Sequence, residues 1–269
     1  MKYSIIFILS VLFTINVTAQ IRDSTSIKIT YKFLIRDDST LKKSIREDLI
    51  ILEMGKKYSK CFSLYRSLNE SILNDQFTEQ QKKGAEKMSI DLSNFTKTGT
   101  TVNYYRNSSS NVITYTDQLF MDSYLVDDTV NMQWELQKDT ITLVGYFCNK
   151  AHTTFRGRNY SAWYTTQIPM PFGPYKFGGL PGVILFIKED KGNFDFQCVD
   201  IEILKQKQLL ELDKIKQIKV NRLTHKKLVK HMIENPDAFA ASQGFSVETI
   251  SCTGCPPKVK PTFNPIELK

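Results

Sequence analysis

The sequence holds five cysteines, and only Cys252 and Cys255 lie close together. Two thiols at this spacing form a local disulfide in an oxidising compartment, bind a soft ion such as Cu(I) or Zn(II), or act as a redox pair. A redox pair of the thioredoxin type requires the first cysteine at a helix N-terminus, whereas Pro256-Pro257 follows here. The sequence has no second close pair and no neighbouring histidine to complete four ligands. The pattern therefore favours a disulfide, with copper or zinc binding as the alternative.

Two other short patterns contain residues that bind ions. Cys148 and His152 are four residues apart on a predicted strand, which places them about 13 Å apart, too far for one ion. Arg156 and Arg158 flank Gly157 in a predicted hairpin turn. Their guanidinium groups would bind an anion there, or else they form an exposed hairpin tip whose charges favour solubility.

Proline, glycine and aromatic residues concentrate in residues 163–187. Gly178-Gly179 permits close backbone approach, and Leu180-Pro181-Gly182-Val183 matches a type II turn with positive φ at Gly182. The segment is either a rigid plug that closes one end of a curved sheet or an aromatic-walled binding loop on a rigid frame. The predicted binding-loop residues are Trp163, Tyr164, Pro169, Phe172, Gly173, Pro174, Tyr175, Phe177, Gly179, Leu180, Pro181 and Gly182.

The elements that must position these residues are mainly strands. Residues 26–35 alternate apolar and polar side chains, which is the pattern of a strand with one face in water. Similar segments follow at intervals of about ten residues with turn signals between them, and no alternation of strands and helices appears. We therefore predict a mainly antiparallel β fold, a curved sheet or half-open barrel.

Two helical segments and an extended tail complete the expected architecture. Residues 69–88 are polar and are predicted to be a helical insertion or a loop. Thr224 is predicted to cap a C-terminal helix over residues 225–234, which Asn235-Pro236 ends. His225 and His231 are six residues apart, so we expect them on different faces of this helix and at the surface. Residues 251–269 are rich in proline and are predicted to be an extended tail.

The sequence resembles the GLPGLI family of exported bacterial proteins, whose naming motif is present as Gly179-Leu180-Pro181-Gly182-Val183-Ile184. Val183 departs from that motif, which is a mild change within a strand. The resemblance implies an exported protein with an envelope or uptake role, because some members are encoded beside TonB-dependent outer-membrane receptors. It supplies no catalytic residue. Other segments that match in order are residues 52–60, 145–151, 155–158, 162–165, 168–169, 173–174 and 264–268.

Residues 1–19 have the pattern of a secretory signal peptide, with one charge at Lys2, an apolar run, and small residues before the expected cleavage site. Its removal leaves about 250 residues (269 − 19), which we divide into one β-rich domain over residues 20–250 and the tail over residues 251–269. Export places the cysteines in an oxidising compartment, which strengthens the disulfide interpretation. No later segment is long and apolar enough for a transmembrane helix.

The mature chain has a net charge near +7, from 36 − 1 basic and 28 acidic residues. The basic residues are spread along the chain and alternate with apolar residues, as on a solvated face, so we expect no nucleic-acid partner. A hydrophobic content of 41% excludes a disordered chain.

The leading functional prediction is a non-enzymatic binding or accessory protein of the periplasm or outer membrane. An apolar ligand, a peptide or an outer-membrane partner would dock at the curved sheet and the loop 169–182. One alternative is the handling of copper or zinc through Cys252 and Cys255 in support of a TonB-dependent receptor; no other cofactor is predicted. The other alternative is a hydrolase whose residues converge only in the fold, because the sequence shows no catalytic set at recognisable spacing.

Overall fold

The computed structural model describes residues 22–36, 45–84, 91, 93–95, 97–120, 122–212, 216–244 and 264–269. The predicted signal peptide and both Cys252 and Cys255 lie outside these residues. Their interpretation therefore stays a prediction from the sequence.

The described residues form twelve strands and three helices. The strands are β1 (Arg22–Arg36), β2 (Ile45–Met54), β3 (Tyr58–Ser63), β4 (Val102–Asn107), β5 (Val112–Leu119), β6 (Asp122–Thr129), β7 (Glu135–Leu143), β8 (Tyr146–Phe155), β9 (Arg158–Thr165), β10 (Val183–Glu189), β11 (Phe194–Glu211) and β12 (Ile218–Lys219). The helices are α1 (Leu64–Lys82), α2 (Arg222–Glu234) and α3 (Pro236–Ser242).

All twelve strands belong to one sheet with the order β12-β6-β5-β4-β3-β2-β1-β11-β10-β9-β8-β7. The pairs are antiparallel, except that the two-residue β12 runs parallel to β6. Within the described residues the sheet is not closed, since β12 and β7 stand at its two ends. The predicted mainly antiparallel, open β architecture is confirmed.

The centre of the sheet is β1, which pairs with β2 on one side and β11 on the other. Its apolar residues alternate as the sequence predicts, because successive side chains on a strand point to opposite faces. Ile29 and Tyr31 are fully buried on the face that we call the core face, and Phe33 and Ile35 are almost so. The core face also carries Leu52, Met54, Cys61, Ile113, Cys148 and Cys198 from the neighbouring strands.

The helices begin at polar side chains that accept hydrogen bonds from their free backbone amides. Ser63 caps α1 through the amide of Arg66, so the polar segment after β3 is a helix from Leu64 onward. Asn221, not Thr224, caps α2 and accepts from the Thr224 amide, so the helix begins three residues before the predicted start. Asn235 and Pro236 end α2 as predicted and begin α3. No helix among the described residues is long and apolar enough to cross a membrane.

Candidate functional site

The loop between β9 and β10, residues 166–182, lies against the core face and is held by side chains from distant parts of the chain. The Tyr31 hydroxyl donates to the Ile184 carbonyl at 2.6 Å, where the loop enters β10. Trp134 Nε1 donates to the Gly178 carbonyl at 3.0 Å. Arg106 Nη1 donates to the Lys176 carbonyl at 3.0 Å. The loop therefore has a fixed position, as both interpretations of the sequence require.

Most of the predicted binding-loop residues pack into the core. Pro169, Gly179 and Pro181 are exposed, and Trp163 and Tyr175 are half-buried. Tyr175 is the member of the set that lines the cavity described below. This packing is what the plug interpretation expects of the loop. The buried members are Tyr164, Phe172, Gly173, Pro174, Phe177, Leu180 and Gly182.

The predicted type II turn with positive φ at Gly182 is wrong. The residues of this loop with left-handed backbone include Tyr175 and Gly179, at φ values of 57° and 88°. Gly182 is required for a different reason, because a Cβ at this position would lie 1.9 Å from the Thr165 carbonyl oxygen. Val183 pairs with Thr165 across β9 and β10, so the close approach belongs to the strand pairing itself.

A buried ion cluster joins the loop to the C-terminal segment, residues 264–269. Lys176 Nζ lies 2.9 Å from Asp128 Oδ2 and 2.7 Å from Glu267 Oε1. The guanidinium of Arg156 contacts the same two carboxylates at 2.7 Å and 2.5 Å. The Tyr175 hydroxyl donates to Glu267 at 2.5 Å. Two cations thus share two carboxylates, which is the arrangement that buried charges need.

The cations hold both carboxylates of this cluster in the ionised form. Burial by itself raises the pKa of Asp128, but the hydrogen bond from Arg156 and the charge of Lys176 outweigh it, and the pKa lies below its usual range. Burial also opposes ionisation of Glu267, and the charge of and hydrogen bond from Lys176 again lower its pKa. Burial and the Glu267 carboxylate raise the pKa of Tyr175 well above its usual value, so this phenol is a neutral donor.

The Lys176 ammonium is also surrounded by three aromatic rings. Its Nζ lies 4.5 Å from the ring centroid of Tyr115, 5.4 Å from that of Tyr175 and 5.9 Å from that of Tyr104. The negative faces of the rings stabilise a cation at such distances. Both the carboxylates and the aromatic side chains therefore stabilise the Lys176 ammonium.

The two arginines of the predicted hairpin turn face inward, so the exposed-tip interpretation is wrong. Side-chain exposure is 14% for Arg156 and 4% for Arg158. Arg158 contacts Glu189 at 3.2 Å and donates to Asn264 and to the Pro265 carbonyl. Each guanidinium binds carboxylates of the chain itself, and the physical reason is that the C-terminal segment covers the turn.

A cavity of about 320 Å³ lies on the core face, next to the ion cluster. The C-terminal segment and α2 form its polar side, through residues that include Glu267, Arg222, His225 and Lys226. The opposite walls are apolar side chains from the strands. They include Phe33, Ile50, Phe62, Val102, Phe194 and Phe196.

His225, which we expected at the surface, is buried with 8% exposure. Its Nε2 lies 2.8 Å from Asp117 Oδ2, and its Nδ1 lies 3.4 Å from the Tyr115 hydroxyl. Thr101 donates to the other oxygen of Asp117 at 2.5 Å. The prediction is wrong because the face of α2 that carries His225 packs against Asp117 and Tyr115 of β5. His231 is exposed as predicted.

A second groove lies on the opposite face of the sheet, beside α1, and has a volume of about 390 Å³. Its walls are polar, because these strand positions alternate with those of the core face. Arg66 Nη2 donates to Gln118 Oε1 at 2.8 Å, and Arg66 Nε donates to Glu70 Oε1 at 2.6 Å. Other residues of the groove include Glu53, Lys60, Asn103 and Thr116.

The three described cysteines are free and buried: Cys61, Cys148 and Cys198. They pack as small side chains within the core. No group of three or more histidine, cysteine or acidic residues able to hold a metal occurs among the described residues.

The polar residues of this site are not predicted from the sequence. Asp117 and Asp128 stand in strands where alternation alone gives no sign of their partners. The sequence gives one indication of a role for Glu267, because this residue belongs to the segment 264–268 that resembles the GLPGLI pattern. Lys176 stands within the aromatic loop, and a lone lysine among buried aromatics is itself an indication of a buried ion pair.

The fold and site together define an open, mainly antiparallel β protein with a ligand-sized cavity on its core face. The model of the N-glycanase peptide N-terminal domain family, PNGase F-II N, matches residues 71–227. Because the match covers more than half of the 269 residues, the chain belongs to this family.

Two crystal structures of PNGF-II are similar in fold. For the structure in space group C2 the TM-score is 0.50 and the identity 16%, and the match covers 78% of this chain and 33% of the PNGF-II chain. For the structure in space group P21 the TM-score is 0.49 and the identity 15%, and the match covers 76% of this chain and 32% of the PNGF-II chain. The chain thus spans about a third of the length of PNGF-II. Curated protein sequences give no match.

Proposed function

We propose that the protein is a non-enzymatic binding protein that holds a small apolar or amphipathic ligand in the cavity of the core face. The observation that carries this proposal is the cavity itself, with apolar walls from the strands and a charged side at α2 and the C-terminal segment. A volume of 320 Å³ is at the lower end of the range of about 300–1,000 Å³ for small-molecule sites.

The hydrogen bonding of the ionisable groups supports binding over catalysis. Both ring nitrogens of His225 have partners, in Asp117 and Tyr115. Asp128 and Glu267 each accept from two cations. A general base or nucleophile requires an oriented group that remains free to reach the substrate. We therefore favour binding over the hydrolase alternative.

The proposed place of action is the periplasm or the outer membrane. The pattern of residues 1–19 and the GLPGLI resemblance support export, and the same resemblance supports an outer-membrane receptor as a partner. Metal handling by Cys252 and Cys255 stays a prediction from the sequence.

The cavity proposal is tested by native mass spectrometry of the mature protein after incubation with a membrane lipid extract. The matched variants are Val102→Trp, which fills the cavity, and Val199→Trp, which places the same ring on an exposed position of β11. We expect retained small molecules in the wild type and in Val199→Trp, and their loss in Val102→Trp. Equal retention by the two variants would place the ligand elsewhere.

The polar groove beside α1 favours a second candidate function, the binding of a carbohydrate. Amide, hydroxyl and charged side chains at this density are suited to hydrogen-bond sugar hydroxyls. The description of the family as an N-glycanase domain supports an N-glycan as the ligand. The test is an NMR titration with a free N-glycan, using Asn103→Ala in the groove and Asn111→Ala in the β4–β5 turn as control. The expected result is that the shift changes are confined to the groove residues of α1 and of β2 to β6, and that Asn103→Ala alone weakens them.

A further inference from the structure

The charges that line the core-face cavity are unbalanced. Four basic side chains line it, Arg46, Lys176, Arg222 and Lys226, against two acidic ones, Asp117 and Glu267. Both carboxylates are already compensated within the protein. Asp117 is bound by His225 and Thr101, and Glu267 is bound by Lys176, Arg156 and Tyr175. Lys176 is compensated by the same contacts, which leaves Arg222 and Lys226 of α2 as the basic lining residues next to the C-terminal segment.

Two of these cations lie together in the first two turns of α2. Arg222 and Lys226 are four residues apart, so they share one face of the helix. Lys226 Nζ donates to the Leu268 carbonyl at 3.1 Å, and no carboxylate pairs with it among the residues that the structure describes. Arg222 Nη1 donates to the Lys269 main-chain oxygen at 3.0 Å. Its contacts with carboxylates are longer, at 3.5 Å from Glu267 and 3.8 Å from Asp128, than a charge-assisted hydrogen bond of about 2.7–2.9 Å. This pair is suited to an additional anion.

The rest of the cavity is suited to a hydrocarbon chain. Phe33, Phe194 and Phe196 stack beside one another, with ring centroids 3.8 Å apart for Phe33 and Phe196. Ile50, Phe62 and Val102 continue the apolar wall. Burying methylene groups against such a wall is favourable in proportion to the area removed from water.

We propose that the ligand is a single-chain carboxylate, with its chain against the strand residues and its carboxylate between Arg222 and Lys226. The inference rests on the proposed function, since it names the ligand class of the same cavity. Charge complementarity to α2 and the apolar wall opposite are the two observations that carry it.

The experiment is a calorimetric titration of the mature protein with decanoate, octanoate and decanol. We expect decanoate to bind at least tenfold more tightly than decanol, which lacks the charge. Shortening decanoate to octanoate removes two methylenes and is expected to weaken binding about fifteenfold, at about fourfold per methylene. Lys226→Gln is expected to weaken decanoate about tenfold and to leave decanol unchanged.

The matched control is Lys227→Gln, which removes the same charge from the adjacent, exposed position of α2. Equal effects of the two variants on decanoate would show long-range attraction alone and overturn the inference. Equal affinity for decanoate and decanol would overturn it too, while leaving the cavity as the site of an uncharged ligand. Failure of all three compounds to bind the wild type, with no molecule retained from lipid extract, would overturn both this inference and the proposed function.

Discussion

Lys176 Nζ lies 2.7 Å from Glu267 Oε1, although the two residues are 91 positions apart in the chain. The contact joins the loop between β9 and β10 to the C-terminal segment, across the edge of the cavity. Both side chains are almost completely buried, with exposures of 4% and 10%. The position of the loop and that of the C-terminal segment therefore depend on each other.

Lys176→Met is expected to lower the free energy of unfolding by about 3–5 kcal/mol, because it leaves Asp128 and Glu267 buried with one cation fewer. Urea denaturation followed by circular dichroism measures the effect. Lys191→Met, in the exposed turn between β10 and β11, is the matched control and should change stability by less than about 0.5 kcal/mol.

The double variant Lys176→Met with Glu267→Gln separates the pair from its surroundings. Because the two side chains contact each other, we expect the combined loss to be smaller than the sum of the single losses. Additive losses would mean that the pair is not coupled.

Stability is expected to fall in acid through Asp128 and Glu267. Their pKa values in the folded protein lie below the ordinary values of 3.8 and 4.5. The unfolded chain therefore binds more protons as the pH falls below about 5, and stability falls with it until the folded carboxylates are also protonated. Above about pH 5 the contribution of these two carboxylates to the free energy of unfolding is fully present.

Urea midpoints measured from pH 7 to pH 3 check this dependence. The urea midpoint of Glu267→Gln should lie furthest below that of the wild type at neutral pH, and the two midpoints should approach each other in acid. Glu202→Gln, at an exposed position of β11, is the control, and its midpoint should change with pH as that of the wild type does. A constant difference between Glu267→Gln and wild type would contradict the assignment.

The sequence predicts the sheet well, because period-two alternation is a local property. The residues of β1 show this, since Ile29, Tyr31, Phe33 and Ile35 are all buried as expected. The ion cluster is not predictable in the same way. The partners of Lys176 come from β6 and the C-terminal segment. They are 48 and 91 residues away in the sequence, so no local pattern predicts these contacts.

The loop shows the same limit in another form. The Pro-Gly sequence predicts a type II turn, but Gly182 serves a close backbone contact rather than a turn with positive φ. The oxygen that requires glycine belongs to Thr165, 17 residues earlier (182 − 165), so only the folded pairing of β9 and β10 reveals it.

Gly182→Ala is therefore expected to be severely destabilising, by about 3 kcal/mol or more, because the new methyl group would meet backbone atoms that cannot rotate away. Gly192→Ala is the control, since that residue has a positive φ of 71° and open space around it. A cost of about 1–2 kcal/mol is expected there from backbone strain alone. Urea denaturation of both variants measures the difference, and a smaller loss at Gly182 would refute the close-contact argument.

His225→Gln is expected to lower stability by about 1–3 kcal/mol, because Asp117 would lose a buried partner. His231→Gln makes the same change at an exposed position of α2 and should lie within about 0.5 kcal/mol of wild type. Thermal or urea unfolding measures both. Equal effects would mean that the Asp117 contact does not hold α2 to β5.

The described cysteines are expected to resist alkylation in the native state. Burial raises the pKa of Cys61 and of Cys198 to about 12, so the reactive thiolate is roughly a thousandfold scarcer than at the ordinary value of 9.0. Iodoacetamide labelling with and without urea, read by mass spectrometry, should modify them only after unfolding.

The same spectra test the predicted disulfide, because a bridge between Cys252 and Cys255 leaves both unlabelled in urea until a reductant is added. Labelling of these two without reductant would instead leave them available for the metal-binding alternative.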